Sequence, residues 1–350
     1  MSLEKSILVD FERLKYPYTG LFSYAQGLGR ELIKIKEESD HLTYFLPKKY
    51  KDVFGNKVNY LIQSPLQKVI FPESSRFDIW HSTYQGSPYY PRKSSVKIIQ
   101  TIHDLNFIYE KSNDPGKLKL YTKKVQEGID RADIITTISE FTMQEIEKYL
   151  KIGNQEKKVI YNGCDLIPYE GFEDPIIKPN GKFLFSLGTV LPKKNFHTLP
   201  ALLIGNDYEL IIAGINDSPY QIKIWEMARR FKVENRVKLI GPIPEDSKYW
   251  YFKNCSAFLF PSLTEGFGLP AVESMYFGKP LFLSDKTSLP EIGGDQAFYF
   301  RSFEPDHMRE VFEKGMSEFD YQRTPALLRA RYENFTWKKS AEQYLDLYRK

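Results

Sequence analysis

The chain has 350 residues and a mass of 41.0 kDa; 42% of its residues are hydrophobic, including 24 Tyr and 25 Phe. That is enough apolar side chain for two domains of ordinary size, and it excludes an unfolded polar chain. The net charge of +4 lies entirely in residues 1–165, which carry 25 Lys or Arg against 21 Asp or Glu; with no recognition motif beside it, so modest an excess argues against nucleic acid as a partner. Two cysteines, Cys164 and Cys255, are too few for a disulfide framework or a Cys-rich metal site. The longest apolar runs, such as "AFLF" and "LIIAG", fall far short of the roughly 20 residues of a membrane helix. Glu4 and Lys5 stand where a signal peptide would need an apolar core, so a soluble cytoplasmic protein is expected.

The first expected strand is "SILVDF", followed by a helix in "SYAQGLGRELIKIKEE". Gly20 falls between them, where the backbone can come close to a ligand. Gly27 and Gly29 sit inside the helical pattern, so this is not the GxGxxG of a dinucleotide fold. Further strands are expected at "DIWHST", "VKIIQTIHD", "ADIITTIS" and "KKVIYNG", with a helix at "EFTMQEIEKYLK". His103 and Asp104 close the strand "VKIIQTIHD"; a lone His is more often structural, but a strand end is where a ligand residue belongs. The stretch 111–124, "KSNDPGKLKLYTKK", has five Lys against one Asp. It reads as a solvated face or, more sharply, as a surface for a phospholipid or lipid-phosphate partner.

Residues 165–182, "DLIPYEGFEDPIIKPNGK", lack periodicity and read as a linker. The second half then repeats the scheme with "KFLFSLG", "YELIIAG", "RVKLIGP", "CSAFLFPS", "KPLFLSD" and "QAFYF". Continuous apolar strands alternating with helices imply parallel sheets covered on both faces. The expected fold class is therefore α/β, two Rossmann-like domains with loops at the carboxyl ends of their strands facing one cleft.

Two of these loops carry the most chemistry. In "SLGTVLPKKNFHTL", Lys193 and Lys194 follow a strand and a proline, and Lys194 is a candidate partner for a diphosphate. In "SLTEGFGLPAVESMYFG", Pro270 suits the first turn of a helix running to about Phe277 and ending at Gly278. Glu265 lies in the loop before it, and Glu273 is expected in its first turn. The backbone between Gly266 and Leu269 can approach an anion, while the two carboxylates suit sugar hydroxyls better than phosphate. The chain has no Asp-x-Asp, HExxH, GxSxG or P-loop, so metal-dependent transfer lacks its usual ligands and no metal or other cofactor is expected.

With these stretches in view, "EGFGLPAVE" resembles the E-x7-E motif of retaining glycosyltransferase family 4, which has the GT-B fold. "TIHDLNF", "TISEFT", "YNGCD", "SLGTVLPKKNFHTL" and the closing "FTWKKSAEQYLDLY" resemble further blocks of that family, in its order. The resemblance implies an acceptor domain at 1–165, a nucleotide-sugar domain at 166–330, and a helix at 331–350 that crosses back to the first. It implies that Glu265 binds the transferred sugar, Glu273 the ribose, and the backbone of Gly266, Phe267, Gly268 and Leu269 the sugar and diphosphate. Lys194 would neutralise the departing diphosphate, His103 would hold the sugar or phosphate, and Gly20 would admit the donor phosphate. Thr189 stands where many members carry Arg or Lys, and Lys193 is the substitute for that charge. The donor implied is a nucleotide sugar, GDP-mannose ahead of UDP-hexoses. The acceptor implied is a glycan or a lipid-linked oligosaccharide of a surface polysaccharide or glycolipid, with the basic first half against the inner face of a membrane. A non-catalytic nucleotide-sugar or glycan-binding protein is the alternative, and a Rossmann oxidoreductase is disfavoured by the missing GxGxxG.

Overall fold

A computed structural model describes residues 4–17, 19–91, 95–166, 175 and 177–350; within the expected linker, 167–174 and 176 lie outside the described residues. The chain divides into two units, Met1–Asp165 with Phe335–Lys350, and Leu166–Asn334. Among the described residues, no helix is long and apolar enough to cross a membrane.

The first unit holds β1 (Lys5–Asp10), α1 (Gly20–Ile35), β2 (Asp40–Leu46), β3 (Asn59–Ile62), β4 (Ile79–Ser82) and β5 (Lys97–Ile102). It continues with α2 (Phe107–Glu110), α3 (Pro115–Arg131), β6 (Ile134–Thr137), α4 (Glu140–Tyr149) and β7 (Glu156–Val159). Its strands pair in parallel in the order β3-β2-β1-β4-β5-β6-β7. Polar side chains cap several of these helices. Thr19 accepts from the Phe22 N–H at 3.3 Å to open α1, and Ser139 from Thr142 at 3.1 Å to open α4.

The second unit holds β8 (Phe183–Leu187), β9 (Glu209–Ala213), α5 (Gln221–Arg230), β10 (Val237–Leu239), α6 (Glu245–Asn254) and β11 (Ala257–Phe260). After these come α7 (Leu269–Tyr276), β12 (Leu281–Ser284), α8 (Leu289–Gly293), β13 (Phe298–Phe300), α9 (Pro305–Glu318) and α10 (Thr324–Tyr332). The strand order is β10-β9-β8-β11-β12-β13, again parallel. Strands β9, β11 and β12 are buried at every residue, which is why each reads as an unbroken apolar run.

Several expectations need correction. Strands β2 and β3 were not foreseen, so the loop carrying His103 follows the fifth strand rather than the third. Strand β5 ends at Ile102, which puts His103 and Asp104 in the loop itself. The lysine-rich stretch keeps the expected solvated face, with Lys117, Lys119, Lys123 and Lys124 exposed, on α3, which Asp114 caps and which is buried at Val125, Gly128 and Ile129. The closing helix, α11 (Trp337–Arg349), starts later than residue 331 because α10 belongs to the second unit.

Helix α11 completes the core of the first unit. Trp337 lies against Gly27 and Gly163; a Cβ on Gly163 would stand 2.1 Å from the Trp337 backbone nitrogen. The Cys164 N–H donates to the Phe335 carbonyl at 2.8 Å, and Ser340 Oγ donates to the Tyr161 carbonyl at 2.5 Å. Deeper in, buried His81 on β4 bonds Tyr348 through Nδ1 (2.6 Å) and Thr101 through Nε2 (2.8 Å). Tyr344 joins the same network at Thr101 and at Tyr24, both at 3.0 Å. Burial holds the His81 imidazole down at about 3, so it is neutral and fully bonded. Gly163→Ala is expected to lower stability by about 2 kcal/mol or more through this backbone clash. Gly20→Ala, whose added Cβ meets nothing within 4 Å among the described residues, is expected to be neutral within about 0.5 kcal/mol. Denaturation of the two variants side by side checks both.

Candidate functional site

The order of the second sheet reverses between β8 and β11, which are bonded neighbours with Phe258 opposite Phe185. Loops that leave such a pair of strands turn to opposite faces and open a crevice at their carboxyl ends. They are the two loops that the sequence marked. The Leu263 N–H donates to the Lys193 carbonyl at 2.7 Å and ties one to the other. Lys194 closes a single tight turn, Pro192–Lys194, after which Asn195 takes a left-handed conformation. Its stem passes over Gly188, and its ammonium lies 4.8 Å from the centre of the Phe260 ring. The ammonium pairs with Glu265 Oε1. Each side chain is 13% exposed, so the pair is largely withdrawn from water. At 4 Å, and with an effective dielectric near 20, such an attraction is worth about 4 kcal/mol before desolvation is deducted.

The backbone around Glu265 is held from a third segment that the sequence reasoning missed. Its N–H donates to Thr287 Oγ1 at 3.0 Å, and the Ser288 hydroxyl is shared between the carbonyls of Glu265 (3.0 Å) and Phe267 (3.1 Å). The "KTSLP" run that supplies them looks like an ordinary helix start, and only the fold brings it beside Glu265. The Phe267 ring is buried, so that residue and Gly266 can offer a ligand only their main chain. Gly268 is the N-terminal cap of α7 with φ at 102°, and a Cβ on it would sit 2.7 Å from Leu289 Cδ2. Only glycine fits there. Leu269 opens the helix and Pro270 occupies its second position. Thr189 is partly exposed between Gly188 and Val190, whose N–H donates to the Ile215 carbonyl at 2.7 Å.

Glu273 is the fifth residue of α7, beyond the first turn in which it was expected, because the helix begins at Leu269. It is not joined to Glu265 but to Lys248, whose ammonium donates to Glu273 Oε1 at 2.8 Å and also pairs with Glu245 at 2.7 Å. Burial pushes the Glu273 carboxyl up, and Lys248 opposes that shift. For Lys248 burial acts to lower the ammonium, yet Glu273 and Glu245 outweigh it and hold the group above its usual range.

In the first unit, His103 and the helix that Gly20 opens are brought together by Tyr24, which meets the imidazole edge-on at 4.7 Å. Nothing in the residue pattern around Tyr24 marks it for this contact. His103 Nε2 lies 2.7 Å from the Thr83 carbonyl, which can only accept, so Nε2 carries the proton. Burial lowers this imidazole to about 4, and it is neutral near pH 7. Beside it, Gln85 accepts from the His103 N–H at 3.1 Å and donates to the Asp104 carbonyl at 3.0 Å. Gln85 also lines a cavity of about 460 Å³ with Ser87, Tyr90, Lys68, Lys124 and Arg131.

Residues 170–320 match the family described as Glycosyl transferases group 1, and residues 36–167 match Glycosyltransferase Family 4. O-antigen chain mannosyltransferase B of Escherichia coli is 24% identical, over 98% of this chain and 99% of that protein. Among solved structures, sucrose-phosphate synthase from Thermosynechococcus elongatus shares the fold with a TM-score of 0.77 at 15% identity, over 99% of this chain and 98% of that one. Anabaena Alr3699/HepE, solved in complex with UDP and glucose, does so with a TM-score of 0.72 at 15% identity, over 98% and 99%. The two family matches together take in most of the chain, and it belongs to the family 4 glycosyltransferases, built on the GT-B fold.

Proposed function

We propose that this glycosyltransferase moves a hexose from a nucleotide sugar to a glycan or lipid-linked acceptor, with retention of configuration and without a metal. GDP-mannose is the proposed donor, ahead of UDP-hexoses. The likeness to an O-antigen chain mannosyltransferase along nearly the full length of both chains supports mannose. The observation that carries the reading is the Lys194–Glu265 pair at the strand reversal of the second sheet, beside a glycine-capped helix start.

In the unliganded protein these two charges satisfy one another. A diphosphate entering the crevice offers Lys194 a stronger partner and frees Glu265 to accept hydrogen bonds from sugar hydroxyls. The N–H groups that open α7 at Leu269 face the same anion, and Lys193 adds the charge that Thr189 does not supply. Glu273 takes the ribose hydroxyls. In the reaction the bond from the anomeric carbon to the phosphate oxygen breaks, and its electron pair leaves with the phosphate. The acceptor oxygen bonds to the same face, and its proton passes to the leaving phosphate. Stabilising the charge that gathers on that phosphate is the main catalytic contribution, and here it falls to Lys194 and the helix start.

In the first unit, a neutral His103 whose Nε2–H is given to Thr83 has Nδ1 as an acceptor. That suits a sugar hydroxyl and not a phosphate oxygen, which narrows its proposed role. The cavity lined by Gln85, Tyr90, Lys68, Lys124, Glu127 and Arg131 suits a polyhydroxylated acceptor. The exposed lysines of α3 are proposed to rest on an anionic membrane surface at the cytoplasmic face.

Nucleotide release from a panel of nucleotide sugars, with and without acceptor glycans, tests the reading. Glu265→Ala is expected to lower turnover about 100-fold or more while circular dichroism stays that of the wild type; unchanged turnover would sink the assignment. Excess EDTA is expected to leave the rate unchanged, and a rate restored only by a divalent cation would overturn the metal-free mechanism. The His103 imidazole is expected not to titrate between about pH 5 and 8 in nitrogen-15 NMR spectra, because its burial keeps protonation near pH 4.

A further inference from the structure

Lys248 sits in "EDSKYWYFKN", a stretch that reads as a surface helix, yet the residue is only 8% exposed. Burying an ammonium is costly unless it is paired, and replacing a buried pair by apolar residues is often neutral or stabilising. Stability therefore does not account for a lysine here. Of its two partners, Glu245 has a side chain 73% exposed, whereas Glu273 is 16% exposed. Lys248 Nζ engages Glu273 Oε1, and among the described residues no protein group bonds Oε2.

We propose that Lys248 is a positioning residue for the donor nucleotide: by holding Oε1 of Glu273 it fixes the carboxylate so that Oε2 receives the ribose cis-diol. This deepens the donor reading and rests on it. An ionised carboxylate is an acceptor only, with two lone pairs on the unused oxygen, so it can take both ribose hydroxyls when its plane is held still. Without Lys248 the Glu273 side chain gains rotamer freedom, and its charge has no partner in a dry setting. Nucleotide discrimination then falls before turnover does.

The test is calorimetric binding of GDP and UDP and of their 2′-deoxy forms to the full chain, together with donor KM and kcat. The wild type is expected to bind the better of the two ribonucleotides about tenfold more tightly than its deoxy form. Glu273→Met is expected to abolish that ratio, and Lys248→Met to reduce it to about threefold or less, with donor KM rising far more than kcat falls. The double variant is expected to match Glu273→Met alone, since Lys248 acts through Glu273. If Lys248→Met does not fold, Lys248→Gln, which keeps a donor without the charge, carries the same comparison. A ratio lost in Glu273→Met but intact in the Lys248 variant overturns the positioning role and spares the donor reading. A ratio intact in both, or no binding of either nucleotide to the wild type, overturns the donor reading and this inference with it.

Discussion

The site exists because a parallel sheet reverses its strand order once. Parallel neighbours send their following loops out at the same edge, and a reversal makes those loops diverge to opposite faces with a gap between. In the second unit the neighbours are β8 and β11, so residues 71 positions apart in sequence, Lys194 and Glu265, become partners without any long-range search. Every other feature of the crevice serves that meeting. The main-chain bond from Leu263 to Lys193 sets the spacing of the two loops, and Thr287 and Ser288 hold the Glu265 backbone. Gly268 lets the chain turn directly from the loop into a helix start.

The electrostatics of the crevice fit the proposed diphosphate site, which has to be stable with and without its polyanion. A lysine aimed into a half-buried crevice with no counter-charge would be costly, as would a carboxylate in the same place. Placing both there keeps the empty site near neutrality while leaving a cation and an acceptor that a ligand can separate. Glu273 is treated differently. Its counter-ion sits behind it on α6, on a helix that the main crevice loops do not touch in sequence, and the three charges of Lys248, Glu245 and Glu273 sum to one negative. In the proposed reading, one glutamate has a partner that the donor displaces and the other a partner that it keeps.

Much of this was legible in the chain. Strands β9, β11 and β12 are buried on both faces, and each shows as a short apolar run between breaks. The glycine and proline placements gave the start of α7 to within one residue, although that residue moved Glu273 out of the first turn. Strands β2 and β3 were not legible. "DHLTYFL" opens on a buried Asp that bonds Arg349 on α11 and the Glu37 N–H, and "NYLI" is a partly covered edge strand with no clear alternation. Helix α3 was hidden by its lysines, whose charge outweighs the thin buried stripe beneath them. Lys248, Tyr24 and Ser288 were beyond reach for a common reason. Each owes its role to a partner far along the chain, and the residue type alone fits a surface or a core equally well.

The return of α11 to the first unit has a consequence for how the protein is made. The second unit is an insertion, entered after Asp165 and left before Phe335. It can therefore close its own core while the ribosome is still adding the residues that the first unit awaits. At about 5–20 residues per second, the first sheet stands for some ten seconds or more without Trp337, Tyr344 and Tyr348 over it. During that interval His81 lacks the Tyr348 hydroxyl and Tyr24 the Tyr344 hydroxyl that later bond them. The final locking of the first unit is thus a late event, set by the last residues of the chain to be made.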